Sequence, residues 1–211
     1  MIPYIEWTTI QLGPAKIYVW GLMVAIGVFI ALIISLHCAR KLGLKPDILE
    51  DAAVWILAGA IIGARIFHIV FYDPGFYWHN PSEILKIWQG GMSIFGGLFF
   101  GVAFGVYALR QERKNLLKYA DAVAYGMPWG IFIGRIGCFL IHDHPGLETN
   151  FFLGVMYPDG IVRHDLGLYL SIFGLLTGIL FLILNRKDRF AGFYSGMFLV
   201  LYGLSRLILD S

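Results

Sequence analysis

Blocks of about 20 apolar residues, each long enough as helix to cross roughly 30 Å of hydrocarbon, recur along the chain between short polar segments. The pattern predicts six spans, over residues 16–37, 51–72, 90–109, 119–141, 166–185 and 192–209. The fold class that follows is all-α: a polytopic membrane helical bundle of six transmembrane helices, forming a single integral membrane domain over residues 1–211. One stretch departs from helical habit. Gly90-Gly91-Met92-Ser93-Ile94-Phe95-Gly96-Gly97 is too rich in glycine to begin as ordinary helix. It is expected to enter the membrane as a re-entrant segment, because irregular backbone is tolerated at that depth only where it lines a cavity.

Composition agrees with the pattern. The chain is 58% hydrophobic and only 14% charged, whereas soluble domains carry about 25% charged residues. Met1-Ile2-Pro3 and Glu6 lack the basic start of a cleaved signal peptide, so the first span is expected to be retained. Charge placement then sets the topology. Arg40, Lys41 and Lys45 follow span one, Arg110, Arg113, Lys114 and Lys118 follow span three, and Arg186, Lys187 and Arg189 follow span five. The opposite side holds Lys16, Lys86 and Arg163, so the positive-inside rule puts both termini outside the cytoplasm. The net charge of +2 is therefore a set of topology signals and gives no reason to expect a nucleic-acid partner. Cys38 and Cys138 fall near opposite faces, so no disulfide is expected, and buried thiols act as small hydrophobes.

Three basic residues remain, and they lie inside the spans: Arg65, Arg135 and Arg206. A charge at mid-bilayer costs roughly 2.5–3.5 kcal/mol on insertion scales, so such residues normally mark a function. Helical rise places each arginine roughly 6–10 Å below the outer end of its span, which describes an outer-leaflet pocket for an anion. The alternative is that each arginine snorkels to the outer headgroups on its long stem. Gly59 and Gly63, Gly97, Gly101 and Gly105, and Gly126, Gly130 and Gly134 form small-residue ridges that lead towards Arg65 and Arg135. Pro128 is expected to kink span four just before Arg135.

Helical spacing groups Arg65 with His68 and Tyr72, Arg135 with Cys138 and His142, and Tyr202 with Arg206 and Asp210. Tyr72-Asp73-Pro74-Gly75 signals a turn, and Phe76, Tyr77, Trp78 and Trp88 suit an interfacial belt. His142-Asp143-His144 has metal-ligand residue types, but adjacent residues rarely point one way and no fourth ligand is placed by spacing, so no metal is expected.

In order along nearly the whole chain, these residues resemble the bacterial prolipoprotein diacylglyceryl transferases. The resemblance is carried by Trp20-Gly21-Leu22-Met23, Gly63-Ala64-Arg65-Ile66, Phe71-Tyr72, and Trp88-Gln89-Gly90-Gly91-Met92-Ser93 with Gly96-Gly97. It continues through Asp121, Pro128, Gly134-Arg135-Ile136-Gly137, Arg163-His164, Leu168-Tyr169, Tyr202-Gly203 and Arg206. The family implies transfer of a diacylglyceryl group from phosphatidylglycerol to the cysteine thiol of a lipoprotein precursor, with glycerol phosphate as co-product and no metal or organic cofactor. It also implies a multi-pass protein of the bacterial cytoplasmic membrane.

The resemblance assigns substrate binding to Arg65, Arg135, Arg206, Ser93, Gly134 and Gly137. Arginine's rigid donor fork suits a phosphodiester whose leaving phosphate gains charge. Phe95 stands where the family's signature has a histidine, Cys138 where it has asparagine, Asp143 where it has glutamate and Trp20 where it has tyrosine. Assistance to the thiol is therefore expected from His142 or His164, with Asp143 or Asp165 orienting the imidazole and Tyr202 beside Arg206. Two alternatives are a catalytically silent lipid-binding accessory protein and an organic-anion transporter. Transporters, however, place their sites at the midplane between inverted repeats.

Overall fold

The computed structural model describes residues 1–13, 15–87 and 90–209, with Ala15 in its backbone only. Trp88, Gln89 and Asp210, used in the motifs above, lie outside the described residues. Four helical runs are long and apolar enough to cross a membrane: Val19–Lys41 (α1), Pro46–Phe71 (α2), Arg110–Ile141, and Leu166–Leu184 (α6). Within the third run a 3₁₀ turn, Arg110–Asn115, precedes the helix proper, Leu116–Ile141 (α5). Two shorter apolar helices, Ile94–Ala108 (α4) and Phe193–Leu209 (α7), complete the set. Phe29, Ile33, Val54, Leu98, Phe99, Leu199 and Leu207 are exposed along these helices, as befits chains solvated by lipid. The protein is a multi-pass helical membrane protein.

It is not purely α. Residues expected as loops contribute short strands: Ile2–Pro3 (β1), Thr9–Leu12 (β2), Ala15–Tyr18 (β3), Pro145–Glu148 (β4), Val155–Met156 (β5) and Val162–Asp165 (β6). One sheet has the order β1-β5-β6-β4, with β1 parallel to β5 and the other pairs antiparallel. β2 and β3 make a hairpin that occupies the predicted start of span one, so α1 begins only at Val19. Strands of two to four residues are too short for their alternation to show in a sequence.

The chain forms two compact units, Met1–Leu42 with Ala120–Ser211, and Gly43–Tyr119. In the second unit, α2 and α4 pack antiparallel through glycine. A β-carbon on Gly59 would lie 2.8 Å from the Phe100 carbonyl oxygen, and one on Gly63 2.7 Å from that of Gly96. The ridge on α4 meets α2 most tightly at Gly96, one residue before the expected Gly97. A short helix, Pro74–His79 (α3), and a 3₁₀ turn, Pro81–Leu85, link the pair.

In the first unit α5 is the centre. Gly27 of α1 faces Gly130, where a β-carbon would lie 2.7 Å from the Gly130 carbonyl. On the α6 side, β-carbons on Gly167 and Gly174 would lie 2.7 and 2.6 Å from the amide nitrogens of Phe139 and Phe132. Ser171 ties the same contact by donating to the Phe132 carbonyl at 2.9 Å. Pro128 is fully buried inside α5, which runs through it as one helix. Buried Asp121 organises the start of α7. Its carboxylate accepts from Gly192 N–H at 2.6 Å, and from Ser195 N–H and O–H at 2.9 and 2.8 Å. A carboxylate at a helix N-terminus also opposes the helix dipole favourably.

Candidate active site

The chemistry of the first unit gathers at the C-terminal end of α5. Arg135 lies in the last two turns of that helix and approaches the Cys138 sulfur, Nη1 to Sγ 3.7 Å. A β-carbon on neighbouring Gly134 would meet nothing within 4 Å, so the helix face at Gly134 is open. Gly137, grouped with the substrate-binding residues by resemblance, packs closely on α1. A β-carbon there would come within 2.8 Å of Met23 in α1.

The helix stops at Ile141 because His142 takes a left-handed backbone conformation, φ +49°. The expected two-turn face from Arg135 to His142 is therefore broken. The His142 ring turns to Asp165 instead, Nδ1 to Oδ2 2.7 Å, with both side chains 1% exposed. A carboxylate can only accept, which puts the proton on Nδ1. Tyr157 donates to the same carboxylate oxygen at 3.2 Å, and Asp165 Oδ1 caps α6 by accepting from Leu168 N–H at 3.0 Å. Tyr4 stacks on the imidazole at 4.2 Å, and Phe139 and Tyr157 close its edges. The Nε2 nitrogen is buried, without a hydrogen-bond partner among the described residues. Tyr157 has a raised pKa, first because it is buried and then because Asp165 lies beside it.

The chain reversal at His142 carries the next two residues back over the helix end. Asp143 and His144 join there, Oδ1 to Nδ1 2.5 Å. Ligand-type atoms of Cys138, Asp143 and His144 all lie within 4.8 Å of one another. Sequence reasoning took Cys138 as a small hydrophobe and left His144 out of the site. The signal was the Cys-x₄-Asp-His spacing, which works only if a turn follows the helix.

His164, at the end of β6, shares a 2.6 Å hydrogen bond with the Tyr169 hydroxyl. The preceding Arg163 pairs with Asp159 at 2.7 Å, and the Asp159 carboxyl is lowered first by the Ile161 N–H and then by Arg163. Tyr202 on α7 stacks on Phe198 at 5.8 Å and tilts against Phe173 of α6. Arg206 lies in the last turn of α7 and is half-buried.

Arg65 belongs to the second unit, and its donors are engaged by backbone. Nε donates to the Ile84 carbonyl at 3.0 Å, Nη1 to those of Gly90 and Gly91 at 2.7 and 2.8 Å, and Nη2 to that of Glu83. Tyr77 lies under the guanidinium, 5.0 Å from ring centroid to Cζ. Gly90 and Gly91 have φ of +90° and +72°, left-handed values that glycine adopts without strain. Through these bonds Arg65 holds the glycine segment and the 3₁₀ turn against α2. Ser93 donates its N–H to the Ala64 carbonyl at 2.9 Å, and its buried hydroxyl has no partner among the described residues.

A multi-pass bundle with this arginine motif at a helix end is the architecture of a lipid-acting membrane enzyme family. The family model described as prolipoprotein diacylglyceryl transferase matches residues 8–211, and the chain belongs to that family. It is similar to the phosphatidylglycerol–prolipoprotein diacylglyceryl transferase of Nitrosomonas europaea, 34% identical over 97% of this chain and 76% of the relative. The Nitratidesulfovibrio vulgaris protein of that name is 33% identical over 99% of this chain and 81% of its own length. One from Francisella tularensis is 34% identical over 99% and 80%.

Proposed function

We propose that this chain moves the diacylglyceryl group of phosphatidylglycerol onto the cysteine thiol of a lipoprotein precursor, releasing glycerol phosphate, at the outer face of the bacterial cytoplasmic membrane. The relatives' shared name supports the donor and acceptor. The observation that carries the reading is Arg135, a cation near the end of a membrane-spanning helix whose face at Gly134 is open.

Arg135 and Arg206 hold the phosphodiester in this reading and stabilise the charge that grows on the departing phosphate. Both belong to the same compact unit. His142 and Asp165 fix the turn that presents Asp143, and His164 of β6, Tyr169 of α6 and Tyr202 of α7 complete the polar groups. The protein forms one integral domain of six crossings. α4 and α7 complete the count, and both termini lie outside the cytoplasm; of the expected Gly90–Gly97 segment, residues 94–97 begin α4 and Gly90–Ser93 enters as the re-entrant part.

The test is mass spectrometry of a precursor peptide incubated with phosphatidylglycerol and the purified protein. A thioether adduct of the peptide cysteine, with equimolar glycerol phosphate, is expected. Tight lipid binding without product would leave a lipid-binding accessory protein instead.

A further inference from the structure

The start of α2, the end of α4 and the Arg110–Asn115 turn line a cavity of about 340 Å³ that the transferase reading leaves unused. It lies wholly within the second unit. Ile48, Asp51 and Trp55 reach it from one face of α2, at i, i+3 and i+7, while Tyr107, Arg110 and Glu112 reach it from the other side. Apolar helices meet a charged turn there, which is the composition of a boundary between lipid and water.

The lining groups keep capacity for a ligand. Arg110 Nη1 donates to the Tyr107 carbonyl at 3.2 Å, and its Cζ lies 4.0 Å from the centre of the Tyr107 ring. A guanidinium carries five N–H donors, so Nε and Nη2 remain for an anion. Glu112 Oε2 accepts from Asn115 at 3.2 Å, which leaves Oε1. Asp51 is exposed and has no hydrogen-bond partner among the described residues. Of the three carboxylates near the start of α2, Asp47, Glu50 and Asp51, only Asp51 lines the cavity. Trp55 meets Tyr107 edge-on at 6.0 Å and stays about half exposed, so its ring can receive a cation.

The charges select the ligand. Two carboxylates against one guanidinium repel a simple anion, and Lys45, Arg113, Lys114 and Lys118 nearby in the chain repel a simple cation. A zwitterion with a phosphodiester and an ammonium answers both. Phosphatidylglycerol brings no positive charge to the carboxylates. A choline headgroup brings one without N–H donors, whereas a primary ammonium has three. We propose that this cavity binds the headgroup of phosphatidylethanolamine, with Arg110 on the phosphate and with Asp51, Glu112 and the Trp55 ring around the ammonium. One lipid held in this way bridges α2 to the turn that follows α4. Val54, Val102 and Val106 are exposed on the same helices, where its acyl chains can lie.

Native mass spectrometry of the full chain in detergent, titrated with phosphatidylethanolamine, phosphatidylcholine and phosphatidylglycerol, tests the site. One phosphatidylethanolamine should bind at least about tenfold more tightly than phosphatidylcholine. Asp51→Asn removes a charge-assisted contact at an exposed position and should weaken that binding about 10–100-fold. Asp51→Asn combined with Glu112→Gln leaves Arg110 unopposed and should add one phosphatidylglycerol to those the parent binds. Arg186→Gln, an exposed basic residue outside the cavity, should behave as the parent. Equal affinity for the ethanolamine and choline lipids, an ethanolamine preference that survives in the double variant, or its loss in Arg186→Gln overturns the proposal. Soluble glycerophosphoethanolamine at equal concentration should not displace the lipid, and displacement would overturn a membrane lipid as the occupant.

Discussion

Arg65 and Arg135 look alike in the sequence, each an arginine one or two residues after a glycine in an apolar helix, yet their surroundings give them different work. Four fixed carbonyls receive the Arg65 donors, and lysine's single ammonium cannot satisfy that geometry. Arg65→Lys should therefore cost at least about 3 kcal/mol of stability, since several buried acceptors lose partners at once. Thermal unfolding in detergent, together with proteolysis between Glu83 and Gly91, checks this. Arg135→Gln and Arg206→Gln should leave the fold intact and weaken phosphatidylglycerol binding. One lost charge-assisted contact costs roughly 1.5–3 kcal/mol, or about one to two decades in affinity. Unchanged lipid affinity in both variants would remove these residues from the site.

Elements in this protein approach each other through glycine, and the closeness is uneven enough to predict opposite outcomes for one substitution. At Gly174 a β-carbon would meet the Phe132 amide at 2.6 Å and the Pro128 carbonyl at 2.7 Å. Gly174→Ala forces α5 and α6 apart and should destabilise by about 1–3 kcal/mol. At Gly134 the same change meets nothing, and alanine's helix propensity should stabilise by up to about 1 kcal/mol. If Gly134→Ala folds well yet loses lipid affinity, the open helix face at Gly134 is the donor's seat. The strand layer has its own signature in pH. Tyr157, buried and beside Asp165, has a pKa raised above its ordinary value of about 10. A group raised in the folded state contributes stability that is complete below its unfolded pKa and disappears as pH rises through the folded one. Alkali above about pH 10 should therefore loosen the β1-β5-β6-β4 sheet, and Tyr157→Phe should remove that sensitivity. Hydrogen exchange across residues 155–165 measures it.

At the scale of the molecule, basic residues cluster after α1, around the Arg110–Asn115 turn and after α6. Both termini should consequently be outside the cytoplasm. A reporter that is active only outside the cytoplasm should be active when fused after α7 and silent when fused after α1. The reverse result would invert the topology and move Arg135 to the inner leaflet.

What the sequence determined is whatever depends on transfer between water and lipid. Run length sets the helices, loop charge sets the expected sidedness, and glycine spacing marks which faces touch, because each is a sum over neighbouring residues in one element. The order of motifs sufficed to place the chain in its family. Tertiary structure decided everything that turns on one backbone angle or on groups far apart in the chain. The left-handed His142 ends α5, sends its own ring to Asp165, 23 residues away, and returns Asp143 and His144 to Cys138. No periodicity encodes that reversal. Arg65 was recognisable as a costly charge, but its partners are carbonyl oxygens, which every residue possesses and no sequence pattern distinguishes. The strands that frame His142 are only two to four residues long, and they exist because their partners pair with them.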